Sequence, residues 1–125
     1  MKRNCVLAAL LAALLAPSGA GARGTKADPA ALLEKGISQF EAGELRAAEK
    51  TLQDAVAASS GPAAARAHLY RGMVLLTLGR QAEGERALTE ALRADPLVAP
   101  DESRIKTALV ESFRAVRARL SGVLE

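Results

Sequence analysis

The stretch ARAHLYRGMVLLTLGRQAEGERALTEALRADP, Ala65–Pro96, decides the fold. Its apolar residues recur at helical spacing on both sides of one glycine, Gly79. The pattern predicts a helix over about Ala63–Leu78 and another over about Gln81–Ala94, with Leu88, Ala91 and Leu92 facing inward. Gly79 supplies the turn, because glycine enters the left-handed backbone region without a Cβ penalty. Asp95-Pro96 stops the second helix, since proline has no N–H to donate and disfavours a helical residue before it. The stretch holds no residue pattern that does chemistry.

The same plan stands upstream. Asp28-Pro29 reads as a helix start, with Asp28 as N-cap and Pro29 at the first helical position. A helical pattern runs through Leu32, Leu33, Ile37 and Phe40 and breaks at Gly43. It resumes from about Glu44 to Ala58, with Leu45, Ala48, Leu52, Ala55 and Val56 on one face, and SSGP at Ser59–Pro62 ends it and opens the next helix. An offset of 36 residues places Gly36 on Gly72, Gly43 on Gly79, Leu52 on Leu88 and Ala55 on Ala91. An internal repeat of this period, made of two helices, is a solenoid signature.

Downstream of LVAP, Asp101 reads as the N-cap of a fifth helix. Its Ile105, Leu109, Phe113, Val116 and Leu120 form one apolar stripe, with Arg104, Arg114, Arg117 and Arg119 mostly outside it. Without the glycine turn, this segment is a cap rather than a third repeat. It either covers the open edge of Gln81–Ala94 or folds into the groove.

The 125 residues carry 17 Lys and Arg against 14 Asp and Glu, and the only large rings are Phe40, Tyr70 and Phe113. Ala, Leu, Arg and Glu dominate, and all are strong helix formers. The fold class is therefore all-α, with close helix packing through Ala. The N-terminus stands apart from the fold. Lys2 and Arg3 precede an uncharged run, Val6–Ala16, then Pro17, Ser18 and Gly19, then Ala20 and Ala22 spaced as before a cut. This is the three-part pattern of a secretory signal peptide over residues 1–22, with cleavage after Ala22. The run is too short to span a bilayer comfortably. No membrane insertion is expected after cleavage, and the mature chain is expected in the periplasm or secreted. Losing Lys2 and Arg3 leaves 15 basic and 14 acidic side chains. The one cysteine, Cys5, goes with the leader, so no disulfide staples the rest.

These residues resemble the tetratricopeptide repeat. Ala65–Pro96 is similar to it through Gly72 at the helix contact, Gly79 in the turn, Ala91 at the tight crossing and the closing Asp95-Pro96. The first unit is similar through Gly36, Gly43, Ala48, Leu52 and Ala55, with its closing proline displaced to Pro62. The closing segment, Asp95 to Arg117, is also similar to the end of short secreted repeat proteins from Ala- and Arg-rich bacteria. His68 replaces the family's large aromatic, Gln39 and Leu75 replace a tyrosine, and Gly84 replaces the small Ala that Ala48 supplies. Glycine inside a helix costs about 1 kcal/mol, so a looser second repeat is expected. The resemblance implies two tandem helix-turn-helix repeats, 29–62 and 63–96, after a linker, 23–28, and before a capping helix, 97–125. Such a unit is an α-solenoid fragment.

In this family the first helix of each repeat lines a concave face. The resemblance therefore implies a partner-binding groove of Leu33, Ile37, Phe40 and Glu41, then Arg66, Leu69, Met73, Leu76 and Thr77. Met73 in an apolar groove suits adaptable recognition of a helix or extended peptide. Some members hold a peptide carboxylate with Lys, Asn and Arg; Leu33, Ile37, Leu69 and Met73 stand at those positions here and would not. His68 is the only histidine and lacks the Cys or second His a metal site needs. No phosphate loop or nucleophile motif is present, so no enzyme, cofactor or metal is expected. The arginines of the last helix, offset by Glu102, Glu111 and Glu125, read as a solvated face and not as a nucleic-acid site. The expected function is protein–protein interaction by an exported adaptor or assembly factor. The alternative is a self-associating structural subunit of an envelope complex.

Overall fold

The structure, a computed structural model, describes residues 28–122. The expected signal peptide, most of the linker and the last three residues lie outside the described residues. Five helices stand among those described: α1 Pro29–Glu41, α2 Leu45–Ala58, α3 Gly61–Thr77, α4 Gln81–Ala94 and α5 Thr107–Ser121. α1 packs on α2, α2 on α3 and α3 on α4, while α1 also meets α3. This is a stack of two helical hairpins in which α3 is central. α3 accordingly buries residues on more than one face, from Ala64 through Leu69, Tyr70 and Met73 to Leu75.

The two intra-repeat turns are the same motif. At the end of α1, the Gly43 N–H donates to the Phe40 carbonyl at 3.0 Å and the Glu44 N–H to the Gln39 carbonyl at 2.8 Å. At the end of α3, Gly79 donates to Leu76 at 3.0 Å and Arg80 to Leu75 at 2.9 Å. Each is a Schellman closure, with the glycine at φ 83° or 87°. Helix starts are capped more sparingly. Asp28 precedes Pro29 as expected, yet its side chain makes no capping bond; its carbonyl accepts from Leu32 at 3.0 Å. Pro62 lies in the first turn of α3, so SSGP opens that helix as the sequence suggests.

The helix contacts correct the expectation of a loose second repeat. A Cβ added to Gly36 would come 2.5 Å from Leu52 Cδ2, and one on Gly72 2.7 Å from Leu88 Cδ2. Gly72 and Gly84 also face each other, since a Cβ on either would lie 3.1 Å from the other's carbonyl oxygen. In the first repeat Ala48 stands at the position of Gly84. Gly84 thus trades helix propensity for a closer backbone approach, and the second hairpin is the tighter one at this point.

The last segment departs furthest from expectation. Asp101 caps a turn, not the helix: its carboxylate accepts from the Ser103 N–H at 3.0 Å and the Ser103 hydroxyl at 2.6 Å. These bonds hold the Asp101 carboxyl below the usual range. α5 begins only at Thr107, with no side-chain cap on Lys106. Between α4 and α5 the chain travels the length of the helices. Arg104 pairs with Glu41 at the end of α1, and Ile105 lies beside Thr77 at the end of α3. The far end of α5, Leu120 and Ser121, lies beside Leu92 and Arg93 at the end of α4. α5 therefore starts beside the ends of α1 and α3 and finishes beside the end of α4. It packs on α4 and α3 and makes no contact with α1. Its buried stripe is Val110, Phe113 and Val116, joined by Ile105 before the helix, with Leu109 half-buried. Leu120, expected in that stripe, is 45% exposed.

Candidate partner-binding site

The inner face is built by α1 and α3, which place the expected groove residues on adjacent helix turns. The structure puts most of them in the core. Leu33 is 8% exposed, Ile37 3%, Leu69 1% and Met73 0%. They belong to one cluster with Val98 and Ile105 of the inter-helix segment and Val110, Phe113 and Val116 of α5. The extended segment and α5 thus contribute to the core that takes up these side chains, a consequence of the twelve residues between α4 and α5 that periodicity could not place. Leu76 turns the other way: it covers Gly84, with its Cγ 2.7 Å from where a Cβ would stand. Phe40 is half-buried, and Arg66, Glu41 and Thr77 are exposed.

Two open clefts remain, one at each end of α1 and α3. The first, about 390 Å³, is lined by Phe40, Glu41, Gly43, Thr77, Arg104, Ile105, Lys106 and Leu109. The second, about 460 Å³, is lined by Asp28, Pro29, Ala30, Leu33, Ser59, Pro62, Ala63 and Arg66. Phe40 therefore opens into one cleft, Leu33 and Arg66 into the other, and Ile37, Leu69 and Met73 lie buried between. Each cleft has an apolar wall and one cation, Lys106 or Arg66, that makes no ion pair among the described residues. Arg104, by contrast, is tied to Glu41.

Tyr70 links the two ends and was not singled out from the sequence. Its ring meets Phe40 edge-on, with centroids 6.2 Å apart and planes at 71°. The Arg66 guanidinium lies 5.9 Å from the Tyr70 centroid. The signal was available: Arg66 and Tyr70 stand one helical turn apart, and Phe40 is the one aromatic on the neighbouring first helix.

A smaller polar recess, about 130 Å³, lies between α3 and α4 and is lined by His68, Arg71, Glu83, Arg86, Ala87 and Glu90. His68 Nδ1 and Arg71 Nε are buried there without a hydrogen-bond partner. Burial lowers the His68 pKa from its ordinary value; the Glu90 carboxylate opposes this and the Arg71 guanidinium adds to it. Among the described residues no three His, Cys, Asp or Glu side chains converge as metal ligands. No described helix is long and apolar enough to cross a membrane.

Three ion pairs tie the units together at the surface: Arg80 to Glu49 at 2.9 Å, between the repeats, Arg104 to Glu41, between the inter-helix segment and α1, and Arg119 to Glu85 at 3.3 Å, between α5 and α4. They lie at the surface, where water and salt screen the attraction.

In comparison with known proteins, a family model described as tetratricopeptide repeat matches residues 33–99. No curated protein and no solved structure matches the chain.

Proposed function

The chain belongs to the tetratricopeptide repeat family, and we propose that it is an exported adaptor or assembly factor. Repeats of this family generally mediate protein–protein interaction. The partner would be a helix or extended peptide held on the inner face, at the two clefts flanking the buried middle. The carrying observation is that both clefts pair apolar side chains with a cation that makes no ion pair among the described residues, Lys106 beside Phe40 and Leu109, Arg66 beside Leu33 and Pro62. Leu33 and Phe40 are seven residues apart on α1, about 10 Å at the helical rise. A partner helix with apolar residues at the same spacing would reach both. The reading is of binding and assigns no catalytic group and no cofactor.

Met73 cannot test this reading, because a charge at a fully buried position would unfold the chain. Arg66→Glu and Lys106→Glu change exposed side chains. A partner captured from a cell-envelope extract should bind each variant at least about tenfold more weakly, with circular dichroism unchanged. Equal binding by both variants would remove the inner face from consideration. Recovery of the chain alone, as a dimer by light scattering, would favour the structural-subunit alternative.

Export rests on the residues before the fold. The three-part pattern of Lys2-Arg3, Val6–Ala16 and Ala20–Ala22 supports it. N-terminal sequencing of the protein from a periplasmic extract should begin at Arg23. An unprocessed chain in the cytoplasm would overturn the assignment.

A further inference from the structure

We propose that the end of the molecule formed by the C-termini of α4 and α5 is a second docking surface, for an acidic partner segment with a leucine-like anchor. The surface is separate from the inner face. Among the described residues, Leu97 and Leu120 are the exposed large hydrophobics, at 88% and 45%. Both lie at this end. Leu120 lines an open cleft of about 360 Å³ with Leu92, Arg93, Pro96, Arg117 and Ser121, and Leu97 follows Pro96 directly. The cleft lies where the end of α5 meets the end of α4. No further described element covers this edge.

Charge selects the occupant. Arg117 makes no ion pair among the described residues, and its guanidinium lies 5.7 Å from the Phe113 centroid. Arg93 reaches only Glu90, at 3.5 Å, and both side chains are largely exposed. Arg114 and Arg119, by contrast, are engaged by Glu102, Glu111 and Glu85. One guanidinium without an ion pair among the described residues, Arg117, and one held only by the exposed Glu90, Arg93, thus flank an apolar cleft whose lining holds no carboxylate. Arginine forks pair with carboxylates in two-bond geometry. A leucine flanked by Asp or Glu, on a helix or at a chain end, satisfies both features. A second copy docking by two-fold symmetry would bring Arg93 and Arg117 of each chain against the same residues of the other, and like charges so placed oppose association.

The test is selection of a random-peptide display library on the immobilised protein. The expected binders carry a leucine-like residue beside Asp or Glu. They should lose at least about tenfold in affinity on Leu120→Ser and on Arg117→Glu. Arg66→Glu and Lys106→Glu, on the inner face, should leave them unchanged. Arg93→Glu guards against an effect of Arg117 on the Phe113 packing, and should weaken the same peptides. Binders without acidic residues, binders insensitive to Leu120→Ser, or an empty selection would overturn the proposal. So would a dimer of the protein itself that Leu120→Ser dissolves. Loss of binding only on the inner-face variants would overturn this proposal while leaving the inner-face reading intact.

Discussion

Gln39 places its side-chain oxygen in the interior without a hydrogen-bond partner. Its counterpart 36 residues on is Leu75, fully buried and apolar. An unsatisfied buried acceptor costs about 1–3 kcal/mol. Gln39→Leu should therefore stabilise the fold by about 1 kcal/mol, read as a higher urea midpoint at unchanged slope. His68 stands opposite Leu32 in the same register. Burial lowers its pKa in the folded chain, so the unfolded chain takes up the proton first as pH falls. Stability is complete above the unfolded value and declines as pH drops through it toward the folded one. Thermal midpoints should fall between about pH 7.5 and 5.5, and His68→Leu should flatten that dependence. A wild-type midpoint flat over this range would contradict the lowered pKa. Both residues were legible as departures from the repeat, but their cost was not, because it depends on which partner atoms lie nearby.

At the scale of one helix pair, the crossing glycines separate propensity from packing. Gly72→Ala would drive a methyl to 2.7 Å from Leu88, which is completely buried and has nowhere to go. Overpacking of this kind costs about 1–3 kcal/mol, which outweighs the roughly 1 kcal/mol that alanine returns in helix propensity. Gly84→Ala meets, at 2.7 Å, Leu76, which is half-buried and can swing outward, and, at 3.1 Å, the Gly72 carbonyl oxygen, which must give by a few tenths of an ångström. Its net cost should be near zero to about 1 kcal/mol. Denaturant curves of the two variants should therefore differ, with Gly72→Ala the less stable; the reverse order would mean that the fixed Leu88 side chain is not what makes glycine necessary at position 72. The helices themselves were plain from the sequence. Gly43 and Gly79 punctuate them, and the turn bonds at both are identical. The start of α5 was not plain. Asp101 carries the residue type of an N-cap, yet its carboxylate is spent on Ser103, and that turn redirects the chain so that Ile105 can enter the core.

For the molecule as a whole, the repeat offset of 36 residues gave away the two hairpins, whereas the direction of α5 is a tertiary outcome. Periodicity reports which face of a helix is apolar and says nothing of which way the helix points. That gap also explains the groove. Leu33, Ile37, Leu69 and Met73 are apolar whether they line an open face or a closed core, and the segment from Asp95 to Lys106 joins the core that encloses them. The consequence is that two repeats do not stand alone here. Val98, Ile105, Val110, Phe113 and Val116 all lie beyond the second repeat and are each no more than 7% exposed. Burial of each such side chain contributes about 1.5–3 kcal/mol, so together they rival the 5–15 kcal/mol that holds a typical domain. A chain ending at Pro96 also opens Leu69 and Met73 to water. It should lose cooperative thermal unfolding and bind a hydrophobic dye, while the full chain melts in one transition. A truncated chain that still melts cooperatively would show that the hairpins suffice, and that the segment after Pro96 is held by the stack without holding it.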